Sequence, residues 1–249
     1  MFTRQTRVKE QNQKIGWKTA MALVIAAMVG TGVFTSLGFQ LVDVQNTWTI
    51  IILWVLGGLL ALIGAFTYAE LGTHFKESGG DYVFLSRIFH PFAGYLYAWT
   101  SLSVGFSAPI AIAAMAMISY LKPINPNIFN TWFGIGVILI VTTLHSLSIR
   151  RSGQLQNWST FIKVLFVLAL IVIGFYFTPT IDNSIQTGVG WEKEILLPGF
   201  TVALIYVTFA YSGWNSSAYI ITEIANPVKN LPKSLIGGTV FVIVVYVLL

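Results

Sequence analysis

"AAMVGTGVFTSLG", residues 26–38, decides how this chain is read. It lies within an apolar run from Trp17 to Phe39 that is long enough to cross a bilayer. Its middle nevertheless carries Gly30-Thr31-Gly32. Glycine costs roughly 1 kcal/mol per helical position relative to alanine, and a backbone group freed in hydrocarbon costs several more. A helix broken at that depth needs a compensating function.

The surrounding composition establishes the solvent. The 249 residues are 55% apolar and 9% charged, with a mean hydropathy of +0.76, where a soluble domain carries roughly 25% charged residues. Apolar runs fall at about 17–40, 48–72, 92–120, 131–149, 156–178, 198–222 and 234–249. We expect an all-α polytopic membrane protein with seven spans. The first run is too long for the core of a cleavable signal peptide.

The net charge of +5 is explained by topology and not by a nucleic-acid partner. Arg4, Arg7, Lys9, Lys14 and Lys18 precede or open the first span, which places the N-terminus in the cytoplasm. Threading seven spans puts Lys76, Arg87, Arg150, Arg151, Lys229 and Lys233 on the same side, so eleven of fourteen basic residues are expected there. Lys122 and Lys193 fall outside, with Asp43, Asp182, Glu192 and Glu194. Trp48, Tyr95, Tyr97, Trp99, Trp132 and Trp191 read as interfacial anchors. Within 73–91, Tyr82, Leu85, Ile88 and Phe89 recur at helical spacing and predict an interfacial amphipathic helix.

The sixth run is also interrupted, by "YSGWNSS", residues 211–217. Two broken spans at matching positions point to a transporter of inverted repeats, and five spans per repeat make the second copy enter from the opposite side. The expected organisation is a cytoplasmic N-terminus (1–16), a five-helix repeat (17–178), an external connector (179–197) and the start of a second repeat (198–249). A second repeat of equal length does not fit in what remains, so the sequence is expected to be truncated within its seventh span.

Three segments carry a resemblance to a known family. "GTGVF" (30–34), "YAELGTHFKESGGDYVFL" (68–85) and "FAYSGWNSSAYIITEIANPVKNLPKSL" (209–235) resemble, in order and spacing, the amino acid–polyamine–organocation superfamily, most of all its L-type amino acid transporter branch and bacterial relatives. Lys76 departs from it, where the family usually has proline. The resemblance implies a LeuT-like five-plus-five fold and a secondary transporter of L-amino acids, working by sodium-independent exchange. We expect a multi-pass protein of the cytoplasmic membrane, N-terminus inside, with an amino acid as its partner besides lipid and no required protein partner evident.

The physics of the break agrees with that. Unwinding at Gly30-Thr31-Gly32 exposes backbone N–H groups at the positive end of the following half-helix, a carboxylate site without a cationic side chain. Carbonyls freed at the preceding half-helix can accept from an ammonium group. The alternative is glycine-mediated close packing of helices. The resemblance implies that Thr31 and Gly32 take the carboxylate, while carbonyls of Met28, Phe209 and Ser212 take the amine. It further implies that Phe209 gates the site and that Trp214 and Asn215 follow it towards the side-chain pocket; the alternative for Phe209 is a lipid-facing or packing role, common in a chain with eighteen phenylalanines.

Lys163 stands alone as an ionisable residue well inside a span. It could snorkel to the interface, but its depth is near the limit of that reach. The resemblance implies that it replaces a sodium ion and bonds the unwound first helix. Glu70, Glu223 and His145 read as structural caps or pairs near helix ends, with a proton relay as the alternative. Part of the pocket is expected from the third span near Ser103, Phe106 and Ser107. Proton-coupled uptake and a non-transporting amino acid sensor remain competing functions. An enzyme does not fit: there are no cysteines, and three histidines in separate segments form no metal site. No cofactor is expected.

Overall fold

The computed structural model describes residues 14–147, 149–177 and 190–249, without the side chains of 147 and 149–155. Arg4, Arg7, Lys9, the side chains of Arg150 and Arg151, and most of the expected external connector lie outside the described residues. Every described regular element is helical: α1 (Trp17–Met28), α2 (Gly32–Asp43), α3 (Thr47–Phe75), α4 (Asp81–Ile88), α5 (Pro91–Thr100), α6 (Ser107–Leu121), α7 (Thr131–Leu147), α8 (Ile149–Tyr176), α9 (Trp191–Glu194), α10 (Pro198–Ala210), a 3₁₀ segment (Ser216–Glu223) and α11 (Pro227–Leu248). Among the described residues five spans are long and apolar enough to cross a membrane: Trp17–Asp43, Thr47–Phe75, Pro91–Leu121, Gln156–Tyr176 and Pro227–Leu248. Two shorter apolar helices, Thr131–Ser146 and Pro198–Ala210, occupy the positions of the fourth and sixth expected spans.

The chain divides into two units, Met1–Phe84 with Lys163–Leu249, and Leu85–Ile162. The first is organised around α3. One face of that helix is a stripe of small residues, Gly57, Gly58, Ala61, Ala65, Ala69 and Gly72, all buried. Its opposite face carries Val55, Leu56, Leu59, Leu60, Ile63 and Phe66, all exposed. Large apolar groups outward and small ones inward is the pattern of a helix in lipid, where burying bulk gains little and close backbone approach gains more. A methyl group added at Gly57 would lie 2.5 Å from Val207 of α10, and one at Gly72 would collide with Leu231 of α11.

Local chemistry ends these helices. Asn46 caps α3, its side chain accepting from the Trp48 N–H. At the other end Lys76 closes α3 in the left-handed region, φ 54, which a proline ring fixed near −65° cannot adopt. A helix does form within 73–91, as α4; Tyr82, Ile88 and, just beyond it, Phe89 are exposed while Val83 and Phe84 pack inward.

In the second unit, α6 packs on α7, where a methyl group at Gly134 would lie 2.6 Å from Ile118. The third expected span is not a uniform helix: a π turn, Ser101–Gly105, joins α5 to α6. Ser103 and Ser107 spend their hydroxyls on their own helix, donating to the carbonyls of Trp99 at 2.7 Å and Leu102 at 2.8 Å. Phe106, between them, is exposed.

Candidate substrate site at two facing helix breaks

Both interruptions are present. The first run ends as α1 at Met28 and resumes as α2 at Gly32, with Val29, Gly30 and Thr31 outside either helix. The sixth run ends as α10 at Ala210. Beyond the turns at 211–215 it does not resume as an α-helix: Ser216–Glu223 winds as 3₁₀, with a non-helical Ile220. Asn215, Ser216 and Ser217 are residues whose side chains compete with the helical backbone. Ser217 does so at long range, donating to the Ala20 carbonyl at 2.8 Å.

The two broken runs lie against each other in opposite directions. Reading outward, the main chain of Ile15 bonds Glu223 and Ala225, Ser217 bonds Ala20, Gly213 meets Ala27 and Gly32 meets Ala210, Ser36 donates to the Tyr206 carbonyl at 2.9 Å, and Gly199 meets Asp43. As one number rises the other falls, so each break faces the other. Glycines set the spacing. A methyl group at Gly32 would sit 3.2 Å from the Ala210 Cα, and one at Gly213 would sit 2.8 Å from the Ala27 carbonyl carbon. Gly213 also has φ 105, a conformation that side chains other than glycine's rarely adopt. Close glycine packing and a break thus occur together, where the sequence posed them as alternatives.

What the break leaves open is a row of donors. Among the described residues, no backbone acceptor meets the N–H groups of Gly30, Thr31, Gly32, Val33 and Phe34. They stand at the start of α2, the positive end of its dipole. Gly30 has open space where a side chain would be, and Thr31 is exposed. Every α-helix starts with N–H groups that lack an intrahelical acceptor, and at a helix N-terminus an anion is a natural partner for them.

The carbonyl side is differently arranged. The Met28 carbonyl already accepts the Tyr246 hydroxyl at 2.8 Å, and the Phe209 carbonyl accepts the Ser212 N–H at 3.0 Å. No backbone donor meets the Ser212 carbonyl among the described residues. The Phe209 ring is exposed. Lys163 of α8 reaches the last turn of α1, its ammonium donating to the Ala26 carbonyl at 3.3 Å. Trp214 lies over α3, where a methyl group at Gly64 would be 2.7 Å from its ring, and stands edge-on to Tyr68 at 4.8 Å. The Asn215 amide donates to Asp81 Oδ2 at 3.1 Å.

Three supports were not singled out from sequence. Tyr211, Tyr246 and Trp54 form a buried aromatic cluster with ring centroids 5.2–5.8 Å apart, and Tyr211 donates to the Trp54 carbonyl at 3.0 Å. Glu194, buried on α9, accepts the N–H groups of Gln45 at 2.9 Å and Asn46 at 3.2 Å, holding the turn between α2 and α3. Asp81, buried at the start of α4, accepts from Tyr68 and Tyr219 as well as Asn215. A cavity of about 270 Å³ lies one turn beyond the break, lined by Val33, Leu37, Ile50, Trp54 and Tyr246 among others. Its walls are mostly apolar, unsuited to a zwitterion. Glu70 and Glu223 are exposed, and His145 meets the Val141 carbonyl of its own helix α7, 2.9 Å away. Among the described residues no group of three His, Cys, Asp or Glu side chains could hold a metal ion.

Comparison with known proteins follows this geometry. The amino acid permease family matches residues 15–249. The b(0,+)-type amino acid transporter 1 of Mus musculus is 31% identical over 265 residues, covering 99% of this chain and 52% of its own length. The large neutral amino acids transporter small subunit 2 of Oryctolagus cuniculus is 29% identical over 252 residues, 94% of this chain and 46% of its own. The serine/threonine exchanger SteT of Bacillus subtilis (strain 168) is 30% identical over 254 residues, 99% and 55% respectively. The chain spans about half the length of the curated relatives it matches. These are transport proteins and not enzymes, and with a match across nearly its whole length the chain belongs to the amino acid permease family.

Proposed function

We propose that this chain is the substrate-binding part of a secondary transporter that carries L-amino acids by alternating access, as a sodium-independent exchanger. The observation that carries the reading is the row of N–H groups from Gly30 to Phe34, without backbone acceptors and facing the second break. A zwitterion separates its two charges by about one residue, which matches donors on one broken helix and carbonyls on the other. Thr31 and Gly32 take the carboxylate. The Phe209 and Ser212 carbonyls take the amine, and Met28 contributes the second lone pair of a carbonyl that Tyr246 already orients. Phe209 closes over the site; Trp214 and Asn215 form its wall against α3.

Lys163 supplies a fixed positive charge where a coupled transporter would need a cation, and its bond to the Ala26 carbonyl supports that role. Residues 17–178 form one five-helix repeat of a LeuT-like fold, and 198–249 begin the inverted second. The antiparallel register of α1–α2 against α10 and the 3₁₀ segment supports this. The basic residues of the expected inner loops support a cytoplasmic N-terminus in the cell membrane.

The test is exchange in proteoliposomes by the full-length protein, with unlabelled amino acids competing against a labelled one and sodium replaced by choline. We expect exchange with a subset of amino acids at a rate unchanged by the replacement. Absence of exchange with every amino acid would sink the transport reading, leaving a sensor if binding persists. Steep sodium dependence would sink the role of Lys163. Accumulation driven by a pH gradient without counter-substrate would replace exchange by proton coupling.

A further inference from the structure

The turn between α3 and α4 is built to hold the second half of the broken sixth run. Asp81 is buried, and its carboxylate bridges three elements: the Tyr68 hydroxyl from α3, the Asn215 amide from the break, and the Tyr219 hydroxyl from the 3₁₀ segment. A second attachment lies three residues earlier. The Ser78 hydroxyl accepts the Thr222 N–H at 2.9 Å and meets the Thr222 hydroxyl at 2.7 Å. Between these points the chain is pressed onto the segment, since a methyl group at Gly80 would lie 2.9 Å from the Tyr219 ring. Two residues of the site's wall depend on the same carboxylate. Asn215 is bonded to it directly, and Trp214 rests edge-on against Tyr68, whose hydroxyl it accepts.

We propose that Asp81 is a positioning residue for the amino acid site, and that the clasp of Ser78 and Asp81 must release the 3₁₀ segment once in every transport cycle. This rests on the functional reading above. A short 3₁₀ run has poorer hydrogen-bond geometry than an α-helix, so its position is set by its attachments. It is held by the clasp on one side and by Ile15 and Ala20 on the other. Alternating access opens one side of the site by rocking or gating packed elements against one another, and in this reading the element that gates is the 3₁₀ segment. The clasp stands directly in the way of that movement.

The described sequence contains no cysteine, so a paired substitution, Ser78→Cys with Thr222→Cys, adds the only two thiols within it. Side-chain oxygens 2.7 Å apart put the corresponding sulfurs within reach of a disulfide. In the full-length protein we expect oxidation to lower exchange at least tenfold while amino acid binding in detergent stays within about threefold, and reduction to restore exchange. A misfolded variant would not recover on reduction. Asp81→Asn supplies a second readout: with Ser217→Cys as the reporter, labelling of this otherwise buried position by a membrane-permeant maleimide should rise about five- to tenfold. Cross-linking with exchange at more than half the reduced rate overturns the proposal, as does unchanged labelling in Asp81→Asn. If the unmodified protein exchanges nothing, the functional reading fails by itself, and the labelling result alone decides whether the clasp holds the segment.

Discussion

Gly213→Ala tests the antiparallel pairing of the two breaks most directly. The added methyl group would sit 2.8 Å from the Ala27 carbonyl carbon, 2.9 Å from its oxygen and 3.0 Å from its Cβ. Two of these atoms are backbone and cannot swing aside as a side chain could. Relief requires α1 and the break of the sixth run to separate by roughly 0.5 Å or more, and overpacking of this kind costs about 1–3 kcal/mol. The substituted residue must also hold φ 105, adding about 1–2 kcal/mol of backbone strain. The total is about 2–5 kcal/mol, opposed by only a small loss of unfolded-state entropy. Gly136→Ala is the matched control: nothing lies within 4 Å of the added methyl group, and in the interior of α7 alanine should stabilise by up to about 1 kcal/mol. Thermal unfolding in detergent and amino acid affinity are measured together. We expect the melting temperature to fall for Gly213→Ala and to hold or rise for Gly136→Ala. If 2 kcal/mol of the cost falls on site geometry, affinity weakens about thirtyfold. A Gly213→Ala protein with unchanged melting temperature and affinity would refute the close approach of the two breaks, and with it the clamp.

Further outcomes follow from single contacts. Lys163→Met removes a charged donor from the Ala26 carbonyl; at about 1.5–3 kcal/mol for such a bond, the KM for exchange in sodium-free buffer should rise at least tenfold, and an unchanged KM counts against the fixed-charge role. Tyr246→Phe strips the buried Met28 carbonyl of its hydroxyl donor and should cost about 1–2 kcal/mol in unfolding free energy, read as a lower melting temperature. Glu194→Gln weakens the charge-assisted bonds to Gln45 and Asn46; protease nicking of the α2–α3 turn should become faster, and an unaltered cleavage rate would show that the carboxylate does not hold it.

The legible part of this fold is what backbone chemistry prints locally. Gly30-Thr31-Gly32 inside an apolar run could only weaken a helix, and the same held for Ser212-Gly213, so both interruptions were visible without tertiary information. Their pairing was a matter of counting spans, whereas its register depended on which glycines could approach which backbone, Gly32 on Ala210 and Gly213 on Ala27. The 3₁₀ winding of Ser216–Glu223 was not legible, because its apolar spacing suits an α-helix equally and the choice is made by Ala20, Ser78 and Asp81 outside the segment. The π turn at Ser101–Gly105 likewise had no strong breaker to announce it beyond Gly105 itself.

The carboxylates were the least readable residues for a common reason. Asp81 and Glu194 sit in connectors, where an acidic residue is ordinarily solvated, yet both are buried and spend their charge on donors from distant parts of the chain. A buried carboxylate persists only if hydrogen bonds replace its water, so each marks a place where connectors are fixed rather than free. One fixes the turn that feeds α3, and the other fixes the segment that follows the second break. The donors at Gly30–Phe34 show the opposite economy, N–H groups with no backbone acceptor among the described residues. A site that kept its own acid there would satisfy those donors permanently. In the proposed reading those donors are met instead by a carboxylate that arrives with the substrate.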